Sequence, residues 1–458
     1  MARRDDAAVG AEPFQVAVAG GGVAAMEAVL ALREHPEPPR PLAITMFAPD
    51  REFRLQALSV AEPFGGDAQT VDLGGFCAEH GVEYREDSVA EVWGGPQRVL
   101  TARGDEVFYD ALLLATGARR HSVLPGSHAF RGGGDVGWFG TLLERLERGA
   151  IADVAFAVPR QVKWTLPIFE LAMLTATWLR DRDREGFNLS VVTHEREPLE
   201  VLGPRVSEQV AELLGDRGVD IVAATGVVRF DRGRLVCEGG HDFRFDEVVA
   251  LPGLDVPEIP GVPQGRNGFI GCDAEMRVDG LDRVWAAGDS TWFPVKQGGL
   301  AAQQAEIAAA GILRAAGSGV EVPPFRPVVR GALITGGRPR FMRVPLGGDA
   351  GVALTSSPLW WPPVKVAGPR LGPYLAQRWA IDEEEDPGLG RTEDLEPARD
   401  EREHEAALRL SLDFAEIDAR EGDYEEALRW LGVAERLNVT LPAEYVERRE
   451  EWRAAATA

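Results

Sequence analysis

From Phe14 the chain reads FQVAVA, in which only Gln15 is polar, then GGG, then VAAMEAVLALRE, whose apolar residues recur three and four apart. A short apolar run bounded by glycine predicts a strand buried on both faces, and the 3.6-residue period after it predicts a helix. A second apolar run, LAITMF at 42–47, sets the theme as a parallel α/β sheet. Between Val89 and Tyr109 the alternating runs RVLTA and EVFYD predict a small antiparallel layer, and ALLLATGAR predicts a buried strand stopping at a glycine. Residues 123–264 repeat the theme with VAFAV, PIFELAMLTATWL, NLSVVT, SEQVAELLGDRG, VDIVAA, RLVCEG and EVVALPG. The pattern of the first module returns in RVWAAGDS and GGLAAQQAEIAAAGILRAAG, which makes that module discontinuous, with the second inserted in it.

The fold class is therefore α/β with two Rossmann-like domains, a small C-terminal region and a helical tail. Its expected divisions are a disordered leader at 1–12, a first domain at 13–122 and 265–325, a second module at 123–264, a strand-like region at 326–380, an acidic linker at 381–403 and helices over 404–456. The linker is expected to be flexible because it is acidic and lacks apolar periodicity.

At 458 residues the chain has room for about three domains. A net charge of −24 disfavours a nucleic-acid partner, which needs clustered Lys and Arg. The three cysteines, Cys77, Cys237 and Cys272, form no closely spaced pair, so a zinc ribbon, a disulfide framework or a dithiol centre is disfavoured and no metal is expected. No signal peptide and no bilayer-spanning run is read, and the expected location is cytoplasmic.

The chemistry concentrates in AGGGVAAMEA. Gly20 permits a tight turn, Gly22 lets a pyrophosphate approach the backbone and Ala25 lets the helix pack closely, while the helix N-terminus supplies free N–H groups and partial positive charge. Two later segments end buried strands in the same order along the chain: LATGARR, with Ala115, Thr116 and Gly117, and AAGDSTWFPVKQGG, with Gly288 and Asp289 before a helix.

With these three segments, residues 13–380 resemble the FAD-dependent flavoproteins with two dinucleotide-binding domains, the pyridine nucleotide-disulfide oxidoreductase superfamily. The resemblance is to the branch of sulfide:quinone oxidoreductases and type II NADH dehydrogenases. It implies that Gly20 and Gly22 bind the FAD pyrophosphate, with Val23 and Ala24 following, that the ATG segment lies against the cofactor, and that Asp289 binds the ribityl chain. Lys296, Gln297 and Gly298 would open the helix facing the isoalloxazine, with Lys296 tuning the flavin. Val89 is a further candidate contact. The acid expected at the end of the second strand is displaced, since Ala48 and Pro49 stand there; Asp50 is the candidate, and a surface turn aspartate is the alternative. No catalytic side chain is assigned, the chemistry being centred on the flavin.

Relatives that oxidise NADH carry a second glycine loop. Here, counting back from Glu27 and Glu170, the positions matching Gly20, Gly22 and Ala25 are Lys163, Thr165 and Ile168. Ordinary nicotinamide binding is disfavoured, although His194 or Glu195 could meet a ribose. PxxxxWxLPxFELAML looks like the version of this loop found in the sulfide-oxidising relatives, yet the redox cysteines near the flavin are missing, which disfavours the usual trisulfide route. Trp164, Trp360 and Trp361 either cover the flavin and admit a quinone or pack the core. Arg338, Arg340, Arg343, Lys365 and Arg370 make their region locally basic, and the resemblance implies membrane-surface attachment there, but the acidic chain opposes it, so membrane contact is at most peripheral.

Ala415, Gly422, Tyr424, Ala427, Ala434 and Pro442 fall at intervals resembling a tetratricopeptide helix pair. One unit cannot bury its own faces and should dock on its own body, on a second copy in a homodimer, or on another protein. Two functions are carried forward. The first is an FAD oxidoreductase passing electrons between an unidentified small-molecule donor and a quinone or similar acceptor. The second is a binding or assembly protein on the same scaffold, acting through its tail.

Overall fold

The computed structural model describes residues 12–36, 38–343, 354–379, 401–420, 422–436 and 441–457. The leader, apart from Glu12, and the acidic linker up to residue 400 lie outside the described residues.

The first sheet is wholly parallel. Strand β1 (Phe14–Ala19) leads through the glycine turn into helix α1 (Val23–Glu34), then come β2 (Leu42–Phe47), β3 (Glu83–Arg85) and β4 (Ala111–Leu114). A second parallel sheet follows: β5 (Asp153–Ala157), α2 (Leu166–Arg180), β6 (Asn188–Val192), α3 (Pro204–Gly215), β7 (Val219–Val222) and β8 (Glu247–Ala250). The chain then returns with β9 (Val284–Ala286) and α4 (Gly298–Ala315). The first sheet has the order β9, β4, β1, β2, β3, so the returning strand completes it, and the second runs β8, β5, β6, β7 with His128–Ala129 on its edge. Crossing between the two sheets is made by Arg119–His121 and Gly253–Asp255, which pair antiparallel. The expected small layer forms as Val89–Trp93, Arg98–Thr101 and Glu106–Phe108.

Strands buried on both faces read as continuous apolar runs because helices cover each face. In α1 every residue from Ala24 to Leu32 is buried. Ala25, Ala28 and Ala31 are fully buried on α1, and Ala302, Ala305, Ala308 and Ala309 on α4, so that the backbones of the two helices pack closely.

Buried in these helices are two glutamates with matching duties. Glu27 in α1 accepts hydrogen bonds from the backbone N–H of Arg370 (2.8 Å) and Leu371 (3.0 Å), where helix α5 (Leu371–Arg378) begins. Glu170 in α2 accepts from the backbone N–H of Ile334 (2.7 Å) and from Lys365 Nζ (2.6 and 2.8 Å). Burial and the nearby Glu306 carboxylate push Glu27 well above the usual carboxylate range; Arg370 pairs with Glu306 and, at 3.0 Å, with Glu34. Lys365 and Arg370 therefore face inward, and the basic character expected of this region is smaller on its surface than the sequence implies.

The tail forms three helices, α6 (Glu401–Arg420), α7 (Tyr424–Arg436) and α8 (Ala443–Ala456). Ala415, Ala427 and Ala434 are fully buried, and the Phe414 and Trp430 rings stack at 4.2 Å. Trp430 also meets Phe293 of the body edge-on at 5.5 Å, and Arg420 reaches Glu200 at 3.5 Å. The hairpin of α6 and α7 thus packs on its own chain. Among the described residues, no helix is long and apolar enough to cross a membrane.

Candidate functional site

Helix α1 begins without a side-chain cap, so the N–H groups of its first turn look outward unpaired by any capping side chain. They open into a cavity of about 750 Å³ that runs between the two sheets and under the tail. Gly20 turns here with φ +129°, and a Cβ on it would stand 2.0 Å from the carbonyl oxygen of Ala115. A Cβ on Gly22 would meet nothing within 4 Å, because Gly22 borders open cavity. Gly288, at φ +81°, brings the β9 turn against Ala24 of α1.

Gly22, Val23 and Ala24 line this cavity together with Ala115 and Gly117. So do Gly288, Asp289, Lys296, Gln297 and Gly298. Of the other predicted residues, Gly20 supports the turn from behind, Thr116 is exposed, Asp50 sits on an exposed loop where its carbonyl accepts Tyr84 Oη (3.0 Å), and Val89 is buried in the antiparallel layer. These four do not line the cavity. Gln297 caps α4, accepting from Leu300 N (3.0 Å).

Lys296 donates to the carbonyl of Thr291 and lies 4.0 Å from the centre of the Phe269 ring. Burial drives its amine down to about 7 against the pull of Asp289 and Glu426, with Arg429 adding to the depression. An amine so placed changes charge near neutrality, beside an aspartate and a helix N-terminus.

The glycine-free loop closes the other side, and Arg160, Lys163 and Thr165 of it each have a partner. Arg160 Nε donates to Glu238 (3.1 Å), and Lys163 pairs with Asp418 of the tail, both groups nearly inaccessible to solvent. Thr165, at the position matching Gly22, donates its hydroxyl to Glu195 (3.0 Å), which also accepts from Thr193 Oγ1 (2.9 Å). The acid at the end of β6, where a ribose would be met, thus holds the loop instead. His194 is buried, and burial with Lys163 and Arg160 drives it down to about 3, so it is neutral. Neither residue lines the cavity. Trp164 does, whereas Trp360 is fully buried and donates to the carbonyl of Val364 (3.0 Å).

Sequence reasoning gave docking on the body as one place for the tail but did not bring it to the site. Asp423, just before α7, and Glu425, Glu426 and Arg429 in its first turns line the same cavity as Gly22 and Asp289. No periodicity reveals this, because the contact spans more than a hundred residues of chain. The Glu170 and Lys365 pair was equally hidden; the sequence offered Glu170 only as a register mark. Cys77, Cys237 and Cys272 are buried and form no disulfide. Among the described residues, no group of His, Cys, Asp and Glu is arranged to hold a metal.

The sequence signature of the pyridine nucleotide-disulphide oxidoreductase family matches residues 170–310. No curated protein matches the chain. Among solved structures, the sulfide:quinone oxidoreductase of Aquifex aeolicus is similar over 75% of this chain and 86% of that one, at 18% identity and a TM-score of 0.68. A ferredoxin reductase of Rhodopseudomonas palustris is similar over 73% and 83%, at 19% identity and a TM-score of 0.55. NDH2 of Plasmodium falciparum, solved with NADH, is similar over 61% and 65%, at 15% identity and a TM-score of 0.50. At these identities the likeness is one of fold. The signature thus runs from the second module into the returning strand and helix of the first, and the two-sheet architecture around it is the fold of these solved structures.

Proposed function

We propose that the protein is an FAD-dependent oxidoreductase that exchanges electrons with a small-molecule partner and does not use NAD(P)H in the ordinary way. The observation that carries this reading is one cavity bordered by an uncapped helix N-terminus, the open face of Gly22, the carboxylate of Asp289 and the amine of Lys296. These residues fit FAD: the α1 N–H groups suit a pyrophosphate, Asp289 suits ribityl hydroxyls, and the start of α4 suits the electron-rich edge of a reduced ring. Bound there, FAD would supply the electron-transfer chemistry. The chain's own residues would bind and orient it, exclude water, and place a proton at Lys296 Nζ near neutral pH.

Against a nicotinamide donor stands the second loop. Thr165 and Lys163 fill the places of glycines and are engaged by Glu195 and Asp418. The usual trisulfide route is disfavoured because none of the three cysteines lines the cavity.

Anaerobic spectroscopy of the purified protein, titrated with NADH, NADPH, sulfide and a reduced quinone, tests this. The expected result is a flavin spectrum that bleaches with a small donor and not with NADH. Absence of a flavin spectrum sinks the cofactor assignment, and rapid bleaching by NADH sinks the reading of the loop. A flavin that none of the four reduces favours the assembly function instead.

A further inference from the structure

The tail adds something that a two-sheet flavoprotein body does not need. Its hairpin meets the glycine-free loop through Lys163 and Asp418, whose side chains are 11% and 2% exposed. Its aromatic centre continues into the body through Trp430 and Phe293. Its α7 helix starts on the cavity, where Glu426 and Arg429 stand close enough to Lys296 to shift its protonation. A helical pair that merely decorated the surface would share neither a buried ion pair nor a cavity wall with the site.

We propose that the α6 and α7 hairpin is an integral wall of the redox cavity, seated on the glycine-free loop, and that it limits the partner meeting the cofactor to a small molecule. The glycine-free loop is the hairpin's seat. A dinucleotide approaching from the second module meets Lys163 already engaged, and a protein partner meets α7 before it meets the cavity. That the cavity is a redox cavity rests on the function proposed above; the wall itself does not.

Thiol accessibility tests the wall without any cofactor. Ala332 lines the cavity, and the natural cysteines are buried, so an Ala332→Cys thiol in the full chain reports on the chamber. In this background methyl methanethiosulfonate should label readily and fluorescein maleimide slowly. Asp418→Lys places two cations together in the seat and should raise the maleimide rate about tenfold or more, with little change for the small reagent. The charge-reversed pair Lys163→Asp with Asp418→Lys should return the maleimide rate to that of the Ala332→Cys background. Equal maleimide rates in this background and in folded Asp418→Lys overturn the proposal. If Asp418→Lys fails to melt cooperatively, the reversed pair decides: background-like shielding supports the wall, and fast labelling refutes it. Missing flavin with a shielded thiol would count against the cofactor alone.

Discussion

Replacing Lys296 by methionine removes a buried amine and keeps an apolar stem. In the folded protein burial, the largest influence, holds this amine down at about 7, whereas the ordinary lysine value is 10.5. The folded state therefore binds this proton more weakly than the unfolded chain does. The resulting penalty is absent above pH 10.5, grows as pH falls towards 7 and is complete below it. At about 1.4 kcal/mol per pKa unit the full penalty is about 5 kcal/mol, an upper limit because Lys296 keeps some contact with cavity water. About 3 kcal/mol of it is relieved between about pH 7 and 9.5. The methionine variant also forfeits the hydrogen bond to the Thr291 carbonyl, at a cost of about 1 kcal/mol. Urea unfolding of both proteins, freed of any cofactor and followed across this pH range, isolates the effect as a difference. The variant should be about 3 kcal/mol more stable near pH 7 and about equal near pH 9.5. A difference that stays flat with pH, or a variant weaker at pH 7, would refute the placement of Lys296 as a desolvated amine.

Burial holds Asp418 up at about 6, against the pull of Lys163, with Glu426 and Asp423 adding to the rise. Its folded value lies above its unfolded one, so its contribution is present at low pH and is lost as pH rises through about 6. Amide exchange in α6 and α7 should be slower at about pH 5 than at pH 8 after correction for intrinsic rates, and Asp418→Asn should remove that dependence. Lys365→Met strands Glu170 in the core and should cost about 3–5 kcal/mol by denaturant unfolding, while the double variant Glu170→Met with Lys365→Met should recover most of it. Gly20→Ala drives a Cβ into the Ala115 carbonyl and should abolish flavin retention on gel filtration, whereas Ala115→Gly should be tolerated.

The alternation of sheets and helices was readable because strands covered on both faces read as continuous apolar runs, as ALLL at 111–114 does with every residue buried, and the less buried LAITMF still begins and ends where its pattern says. The glycine loop was readable for a different reason: Gly20 is forced by backbone crowding at Ala115, a constraint few other residues meet. What stayed hidden depends on pairs distant in sequence. Nothing local in Asp418 names Lys163 as its partner, and nothing in Glu195 says that it holds Thr165 and not a ribose. The tail's small residues announced close helix packing, but the body it would choose was a matter of three-dimensional fit. Asp50 shows the converse: an acid near the right place in sequence lies on a loop outside the cavity.

The paired duties of Glu27 and Glu170 limit how the molecule can breathe. Lys365 and Arg370 are anchored to helices of different sheets, and the five residue steps from one anchor to the other can span at most about 17 Å even when fully extended. Swinging the two halves apart like a hinge would tear one anchor or the other from a buried carboxylate. Traffic into the chamber is thus steered away from a gross parting of the two sheets.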